Sequence, residues 1–134
     1  MMKKLFETTM TNKGGRNGEV YSPDHSLEFK VSTPGSKGEG TNPEQLFAAG
    51  YSSCFNSALE MILSQAGKKV DSTIDCTVSL LNDNETGLQL KVVLVGEIEG
   101  FSSDETIEWM KKAHEVCPYS KATQGNIDVV LKVK

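Results

Sequence analysis

The stretch from Asn42 to Gly67 constrains the fold of this chain more than any other part of its sequence. Asn42 can cap a helix, Pro43 suits the first helical position, and Gln45 stands where a capping box would place it. Apolar residues cover most of the circumference of the predicted helix, which runs to about Gln65 and ends at Gly67. A helix that is apolar nearly all round is buried on most sides, so we expect it to be central to the fold.

Short strands are predicted before this helix. Residues 4–11 have strand composition, and residues 20–21 and 27–31 predict two further strands. The glycine-rich residues 13–18 predict a hairpin turn between the first two strands. Residues 32–41 are rich in Gly, Ser and Pro and predict a loop.

A hairpin, a helix and a strand are predicted after it. Residues 70–81 and 88–99 have the pattern of two antiparallel strands joined by a polar turn. Ser102 opens a second helix with a capping box, and Pro118 ends that helix. Residues 127–133 alternate between apolar and polar as a final strand. This order predicts an α+β fold in which antiparallel sheets pack on the long buried central helix and on the second helix.

Length and charge narrow the class of protein. The 134 residues predict a single domain, residues 1–134, large enough to bury a core without disulfide bonds. The net charge is −4 and the isoelectric point is about 5.2, without the basic stripe of a nucleic-acid binder. The N-terminus lacks the apolar stretch of a signal peptide, and no apolar run approaches the ~20 residues of a membrane span. We therefore expect a cytoplasmic protein that binds neither nucleic acid nor membrane.

Three cysteines are the first candidates for chemistry. In a reducing cytoplasm they are expected to be free thiols, and their odd number argues against a structural disulfide framework. Cys54 lies in the central helix and Cys117 at the end of the second helix, and either could be reactive or an inert buried residue. Cys76 lies in mid-strand on an apolar face and is interpreted as structural.

Other chemistries have weaker support. His25 and His114 lie in different elements and no CxxC or HxxxH spacing occurs, so no metal site is predicted. His114 is three residues before Cys117, which allows either a Cys/His pair or a surface histidine without a role. The glycine-rich turn lacks the Gly-Lys-Ser/Thr ending of a phosphate loop. Glu44 can at least interact favourably with the dipole of the central helix.

Three motifs go beyond these individual residues. They are residues 40–55 (GTNPEQLFAAGYSSCF), residues 117–129 (CPYSKATQGNIDV) and the arginine turn of residues 14–18 (GGRNG). Together they resemble the organic hydroperoxide resistance (Ohr) proteins of the OsmC/Ohr family, and the resemblance spans essentially the whole chain. Related OsmC proteins resemble the sequence less around Cys117. The resemblance implies an OsmC/Ohr-like homodimer of two intertwined chains with two active sites at the interface.

The resemblance also implies roles for four residues. Cys54 would be the peroxidatic cysteine and Cys117 the resolving cysteine, while Arg16 and Glu44 would hold and activate Cys54. The implied reaction is the reduction of organic hydroperoxides, fatty-acid hydroperoxides included, without a cofactor. The implied reductant is a dihydrolipoyl group, carried by dihydrolipoamide or by a lipoylated protein.

The chemistry of arginine and cysteine is consistent with these roles. An arginine beside Cys54 could lower the thiol pKa from ~8.5 to ~6, which increases the thiolate roughly thirtyfold at neutral pH. One side of the guanidinium can bind Glu44 while the other faces the sulfur. Tyr51, Phe55 and Met110 are candidates to bind the acyl chain of a substrate, although core packing explains each of them at least as well.

The spacing of Glu44 and Cys54 adds a geometric constraint. They are ten positions apart, which is ~15 Å of rise and about 80° of rotation on one straight helix. One arginine cannot easily touch both. Either Cys54 meets Arg16 and Glu44 of the partner subunit, or the helix is broken near Gly50, and we favour the dimer.

Two alternatives remain open from the sequence. The first is an OsmC-type peroxidase with a different peroxide preference. The second is a thiol redox sensor or lipid-binding module that is oxidised without turnover.

Overall fold

The computed structural model describes residues 1–134 as two compact units, residues 1–46 and residues 47–134. The chain forms six strands and three helices. In chain order they are β1 (Thr11–Lys13), β2 (Gly18–Tyr21), β3 (Glu28–Val31), α1 (Pro43–Gln65), β4 (Ser72–Asp83), β5 (Gly87–Ile98), α2 (Ser103–Val116), α3 (Pro118–Thr123) and β6 (Asp128–Val133).

The first unit contains an antiparallel sheet in the order β1-β2-β3. The predicted hairpin turn is confirmed, because Lys13 pairs with Glu19 across it. The Asn12 side chain stabilises the turn by donating to the carbonyl oxygens of Gly15 and Glu19. Gly18 is required there by close packing, since a Cβ atom at this position would collide with the carbonyl oxygen of Lys13. The turn therefore presents Arg16 on a well-defined backbone.

The strand predicted for residues 4–11 is wrong over most of its length. Regular structure begins only at Thr11, and the side chains of Leu5 and Phe6 are more than four-fifths exposed. The composition supplies strand propensity, but a strand also needs a neighbour to pair with its backbone groups, and this chain provides none for residues 4–10.

Helix α1 begins as predicted. The backbone N–H of Gln45 donates to Oδ1 of Asn42 at 2.8 Å, which confirms the N-cap. The Gln45 side chain accepts from Thr41 at 2.6 Å instead of closing the capping box. The helix continues without interruption to Gln65, so the suggested break near Gly50 is wrong.

Burial of α1 within the chain is confined to one face. Five of its residues are buried and pack against β5 and α2: Tyr51, Phe55, Ala58, Leu59 and Leu63. Ala49, Ser53, Ser57 and Met61 are exposed along another face. This differs from the expectation of burial on most sides, because β5 and α2 cover only one side of the helix.

The second unit contains a sheet in the order β4-β5-β6. Strands β4 and β5 form the predicted antiparallel hairpin, with Ser72 opposite Ile98 and Asp83 opposite Gly87. Strand β6 pairs with β5 in parallel, so this sheet is mixed. The prediction of an antiparallel sheet is wrong for this pair of strands. The reason is the intervening α2 and α3, which carry the chain back along the sheet before β6 begins.

Helix α2 confirms its predicted capping box, in which Ser102 and Glu105 each accept from the other's backbone N–H. Pro118 ends this helix as predicted and also starts α3, a six-residue helix that the sequence pattern did not predict. None of the three helices is both long and apolar enough to span a bilayer.

Candidate active site

The sulfur atoms of Cys54 and Cys117 lie 3.6 Å apart. Cys54 is half-buried on α1, and Cys117 is fully buried at the junction between α2 and α3. Both thiols are free. A disulfide has an S–S distance of about 2.05 Å, so the two sulfurs need to approach by only about 1.5 Å to form one.

The environment of Cys54 changes its acidity in two opposing directions. Burial raises the pKa of the Cys54 thiol, the backbone N–H of Tyr119 lowers it by hydrogen bonding to the sulfur, and the adjacent Cys117 thiol raises it. The net effect is a raised pKa. Within one chain, burial therefore has the largest influence on the Cys54 pKa. Activation of Cys54 by Arg16 stays a prediction.

Arg16 and Glu44 form a two-pronged ion pair. Nη1 and Nη2 of Arg16 donate to the two carboxylate oxygens of Glu44 at 2.9 and 2.7 Å. The hydrogen bond from Arg16 lowers the pKa of Glu44 despite partial burial of the carboxylate. Three of the five guanidinium N–H groups remain available to a second acceptor.

The ion pair and the thiol pair belong to different parts of the chain. Arg16, on the hairpin turn, and Glu44, in the first turn of α1, lie in the unit of residues 1–46. Cys54 and Cys117 lie in the unit of residues 47–134. The structure thus forms two of the residue pairs implied by the resemblance, each within one unit.

The three residues predicted to bind substrate are all core residues in this structure. Tyr51, Phe55 and Met110 have no exposed surface. Met110 packs so closely on β5 that a Cβ atom at Gly96 would lie 2.5 Å from its sulfur. Their role in substrate binding stays a prediction, and direct contact with a ligand would require these side chains to move.

An open cavity of about 490 Å³ lies beside the segment that follows Cys117. Most of the residues that line it are apolar, and they are Phe47, Leu90, Pro118, Tyr119, Ala122, Thr123, Asn126 and Ile127. The sequence pattern gives no sign of this cavity, although the motif from Pro118 to Ile127 supplies most of its lining. Its size is within the range of small-molecule sites.

A buried hydrogen-bond network lies next to the thiols. The Tyr51 hydroxyl is 2.9 Å from Oγ of Ser120 and 3.1 Å from Oγ1 of Thr123. Nδ1 of His114 is 2.7 Å from the same Ser120 oxygen. His114 is therefore neither a surface histidine without a role nor the direct partner of a thiol. Burial lowers the pKa of His114.

Cys76 has a different environment. It packs at the edge of the hydrophobic core, and burial raises its thiol pKa to about 11. At neutral pH it is almost entirely protonated and therefore a poor nucleophile, which supports its interpretation as a structural residue. No group of three or more His, Cys, Asp and Glu residues has an arrangement that could hold a metal ion.

The α+β fold and the two facing thiols together define a small protein with a thiol pair. Several known proteins are similar to this chain. The OsmC-like protein family model matches residues 35–132. The organic hydroperoxide resistance protein OhrA of Bacillus subtilis is 48% identical over 139 aligned positions, covering 99% of each chain. The organic hydroperoxide resistance protein-like 2 of Staphylococcus epidermidis is 46% identical, covering 99% of this chain and 98% of the relative.

Solved structures agree with the sequence relatives. The crystal structure of OhrB of Bacillus subtilis has a TM-score of 0.91 and 42% identity, covering 98% of this chain and all of that chain. The crystal structure of an organic hydroperoxide resistance protein from Legionella pneumophila has a TM-score of 0.90 and 42% identity, covering 98% of this chain and 99% of that chain. The chain therefore belongs to the OsmC/Ohr family. This result confirms both the resemblance found in the sequence and the predicted α+β fold class.

Proposed function

We propose that this protein is a cysteine-based peroxidase that reduces organic hydroperoxides to alcohols. The observation that carries the proposal is the 3.6 Å contact between the sulfurs of Cys54 and Cys117, in a chain without any other close thiol pair. The names of the relatives, which are organic hydroperoxide resistance proteins, support the choice of substrate class.

The reaction has three steps. The Cys54 thiolate attacks the terminal peroxide oxygen, the O–O bond breaks, and the products are a Cys54 sulfenic acid and an alcohol once the alkoxide is protonated. The Cys117 thiol then attacks the sulfenic sulfur, which forms the Cys54–Cys117 disulfide and releases water. A dithiol reductant finally exchanges with the disulfide and leaves as a cyclic disulfide. Two electrons pass from the dithiol to the peroxide in each cycle.

The cavity beside Tyr119 favours an organic peroxide. Its lining is mainly apolar, and Tyr119 also places its backbone N–H on the Cys54 sulfur. A hydroperoxide with an acyl or aryl group can bury that group in the cavity, whereas hydrogen peroxide cannot. Fatty-acid hydroperoxides are therefore among the expected substrates.

Activation of Cys54 requires a positive charge, because burial alone raises its pKa. Arg16 is suited to the task, since its ion pair with Glu44 orients the guanidinium and leaves N–H groups for a sulfur atom. Helix α1 is continuous, so we retain the other predicted arrangement, in which Cys54 meets Arg16 and Glu44 of the partner subunit in an intertwined homodimer. The exposed apolar side chains of the N-terminal segment, including Leu5 and Phe6, support an association of this kind.

The reductant we propose is a dihydrolipoyl group, on dihydrolipoamide or on a lipoylated protein. It is a dithiol with an apolar tail, so it can both open a disulfide and use an apolar cavity. We expect the cycle to operate in the cytoplasm, where thiols are kept reduced, and to need no cofactor.

The test is turnover of cumene hydroperoxide with dihydrolipoamide, using the native protein, Cys54→Ser and Cys117→Ser, with Cys76→Ser as the matched control. We expect many turnovers for the native protein and for Cys76→Ser, and none for Cys54→Ser. Cys117→Ser cannot form the Cys54–Cys117 disulfide, so we expect it not to be recycled through a disulfide. Oxidation of the native protein without turnover would favour a redox sensor. Faster consumption of hydrogen peroxide than of cumene hydroperoxide would favour an OsmC-type peroxidase with another substrate preference.

A further inference from the structure

Two contacts join α1 to the start of α3 side by side. Tyr51 and Cys54 are three residues apart on α1, so they are neighbours on the helix surface. Cys117 and Ser120 are likewise three residues apart at the start of α3. The Cys54 and Cys117 sulfurs face each other at 3.6 Å, and the Tyr51 and Ser120 oxygens face each other at 2.9 Å. One contact changes in the proposed reaction and the other does not.

Ser120 is the centre of the contact that does not change. Its side chain is fully buried, and its oxygen is bonded to Tyr51 on α1 and to His114 on α2. Three helices therefore meet at one hydroxyl. Tyr51 also bonds Thr123, one turn further along α3, so the short helix is held at two points.

The donors and acceptors of this network fit one direction of hydrogen bonding. Burial raises the pKa of Tyr51 and lowers that of His114, so the phenol keeps its proton and the imidazole is neutral near pH 7. Tyr51 can then donate to Ser120, and Ser120 can donate to Nδ1 of His114. Every buried polar atom of the network has a partner. A satisfied buried network of this kind fixes a single arrangement of the elements that it joins.

We propose that Ser120 is a positioning residue, whose hydroxyl, held by Tyr51 and His114, keeps the Cys117 sulfur over Cys54 so that the sulfenic acid is resolved before it is overoxidised. The inference rests on the proposed peroxidase function and assigns a residue to its second step. In that step the Cys117 S–H and the Cys54 S–OH become one S–S bond and one water. A second peroxide molecule competes for the same sulfenic acid and converts it to a sulfinic acid, with release of an alcohol.

The competition makes the position of Cys117 decisive. Attack within the molecule is fast only while the two sulfurs stay close and aligned, and a displacement of about 1 Å can slow such a step by as much as ~100-fold. Loss of the Ser120 hydroxyl removes its bond to Tyr51 on α1 and its bond to His114 on α2. The network then keeps only the bond between Tyr51 and Thr123.

The experiment measures how oxidised Cys54 is divided between products. Each protein is treated with one and with ten equivalents of cumene hydroperoxide, and mass spectrometry quantifies the Cys54–Cys117 disulfide and the Cys54 sulfinic acid. The variants are Ser120→Ala and Tyr51→Phe, which remove the two hydroxyls of the contact, and His114→Gln. Ser57→Ala, on the exposed face of α1, is the matched control.

We expect the ratio of disulfide to sulfinic acid to fall roughly tenfold in Ser120→Ala and Tyr51→Phe, less in His114→Gln, and not at all in Ser57→Ala. The double variant Tyr51→Phe/Ser120→Ala should lose less than the two single effects combined, because both changes break the bond between Tyr51 and Ser120. This product ratio is independent of the rate of the first step. If Ser120 had only a structural role, its loss would lower the thermal midpoint of unfolding and leave the product ratio unchanged.

Two results would overturn the inference. An unchanged product ratio in folded Ser120→Ala and Tyr51→Phe would overturn it while leaving the peroxidase function intact. The absence of both oxidised products in the native protein would instead overturn the proposed function, and the positioning role with it. Tyr51→Phe leaves Ser120 and Thr123 with other hydrogen-bond partners, so it provides the test if Ser120→Ala fails to fold.

Discussion

The ion pair and the thiol pair are built in contrasting ways. Arg16 is 45% exposed and holds its carboxylate partner through two hydrogen bonds, whereas Cys117 is fully buried and Cys54 is half-buried. Solvent and Glu44 stabilise the charge on Arg16, while burial disfavours a charge on Cys54. The positive charge of Arg16 is therefore exposed to solvent, whereas the nucleophile Cys54 lies in a largely apolar environment. A reactive thiolate depends on both, which we propose to be combined in the dimer.

Replacement of Arg16 should have the largest effect on this contrast. Arg16→Met removes the only charge proposed to lower the Cys54 pKa, so we expect the thiolate fraction at pH 7 to fall roughly thirtyfold. The rate of Cys54 alkylation as a function of pH measures the change directly. Arg16→Lys keeps the charge but loses the two-pronged geometry, and it should lie between native and Arg16→Met. Identical pH profiles for all three proteins would refute the activating role of Arg16.

A change at Gly50 should disturb the thiol pair and leave the ion pair unaffected. A Cβ atom at this position would lie 2.5 Å from the Tyr119 hydroxyl. Gly50→Ala therefore forces the Tyr119 ring to shift. Overpacking costs about 1–3 kcal/mol and the higher helix propensity of alanine offsets about 1 kcal/mol, so we expect the free energy of unfolding to fall by up to about 2 kcal/mol. Since the Tyr119 N–H contacts Cys54, disulfide formation should slow as well.

Chemical denaturation and oxidation by one equivalent of cumene hydroperoxide test these two effects of Gly50→Ala. Ser57→Ala is again the matched control on α1, and it should change neither quantity. If Gly50→Ala is as stable and as rapidly oxidised as Ser57→Ala, the close packing of Tyr119 on α1 has no functional weight.

Replacement of Glu44 should have the smallest effect and a definite pH dependence. The folded-state pKa of Glu44 is lowered, so its carboxylate stabilises the fold at pH values above its ordinary pKa of 4.5. That contribution is lost as the pH falls through the lower folded-state pKa. The stability difference between native and Glu44→Gln should therefore shrink on acidification, and it should also shrink in high salt. A difference that grows toward low pH would contradict the role of the ion pair.

Local signals explain which parts of the fold could be predicted from the sequence. The N-caps at Asn42 and Ser102 depend on a few consecutive residues, and both are present as predicted. The parallel pairing of β6 could not be predicted, because strand direction depends on a partner more than thirty residues away. Helix α3 was missed because six residues are too few to show a helical period.

The pairing of Cys54 with Cys117 was suggested by the family resemblance and not by local signals. Cys54 and Cys117 are 63 residues apart, and only the resemblance of their two motifs to one family suggested that they work together. The bond between Tyr51 and Ser120 spans 69 residues and had no such signal. The sequence instead suggests that Tyr51 binds substrate, because an aromatic side chain in an apolar helix gives no indication of where its hydroxyl points.

The pairing of Cys54 with Cys117 can be tested by titrating the reduced native protein with one equivalent of cumene hydroperoxide and then mapping its peptides. We expect the loss of two thiols and a single disulfide between the peptides that contain Cys54 and Cys117, with Cys76 still reduced. Three intact thiols after the titration, or a disulfide that includes Cys76, would contradict it.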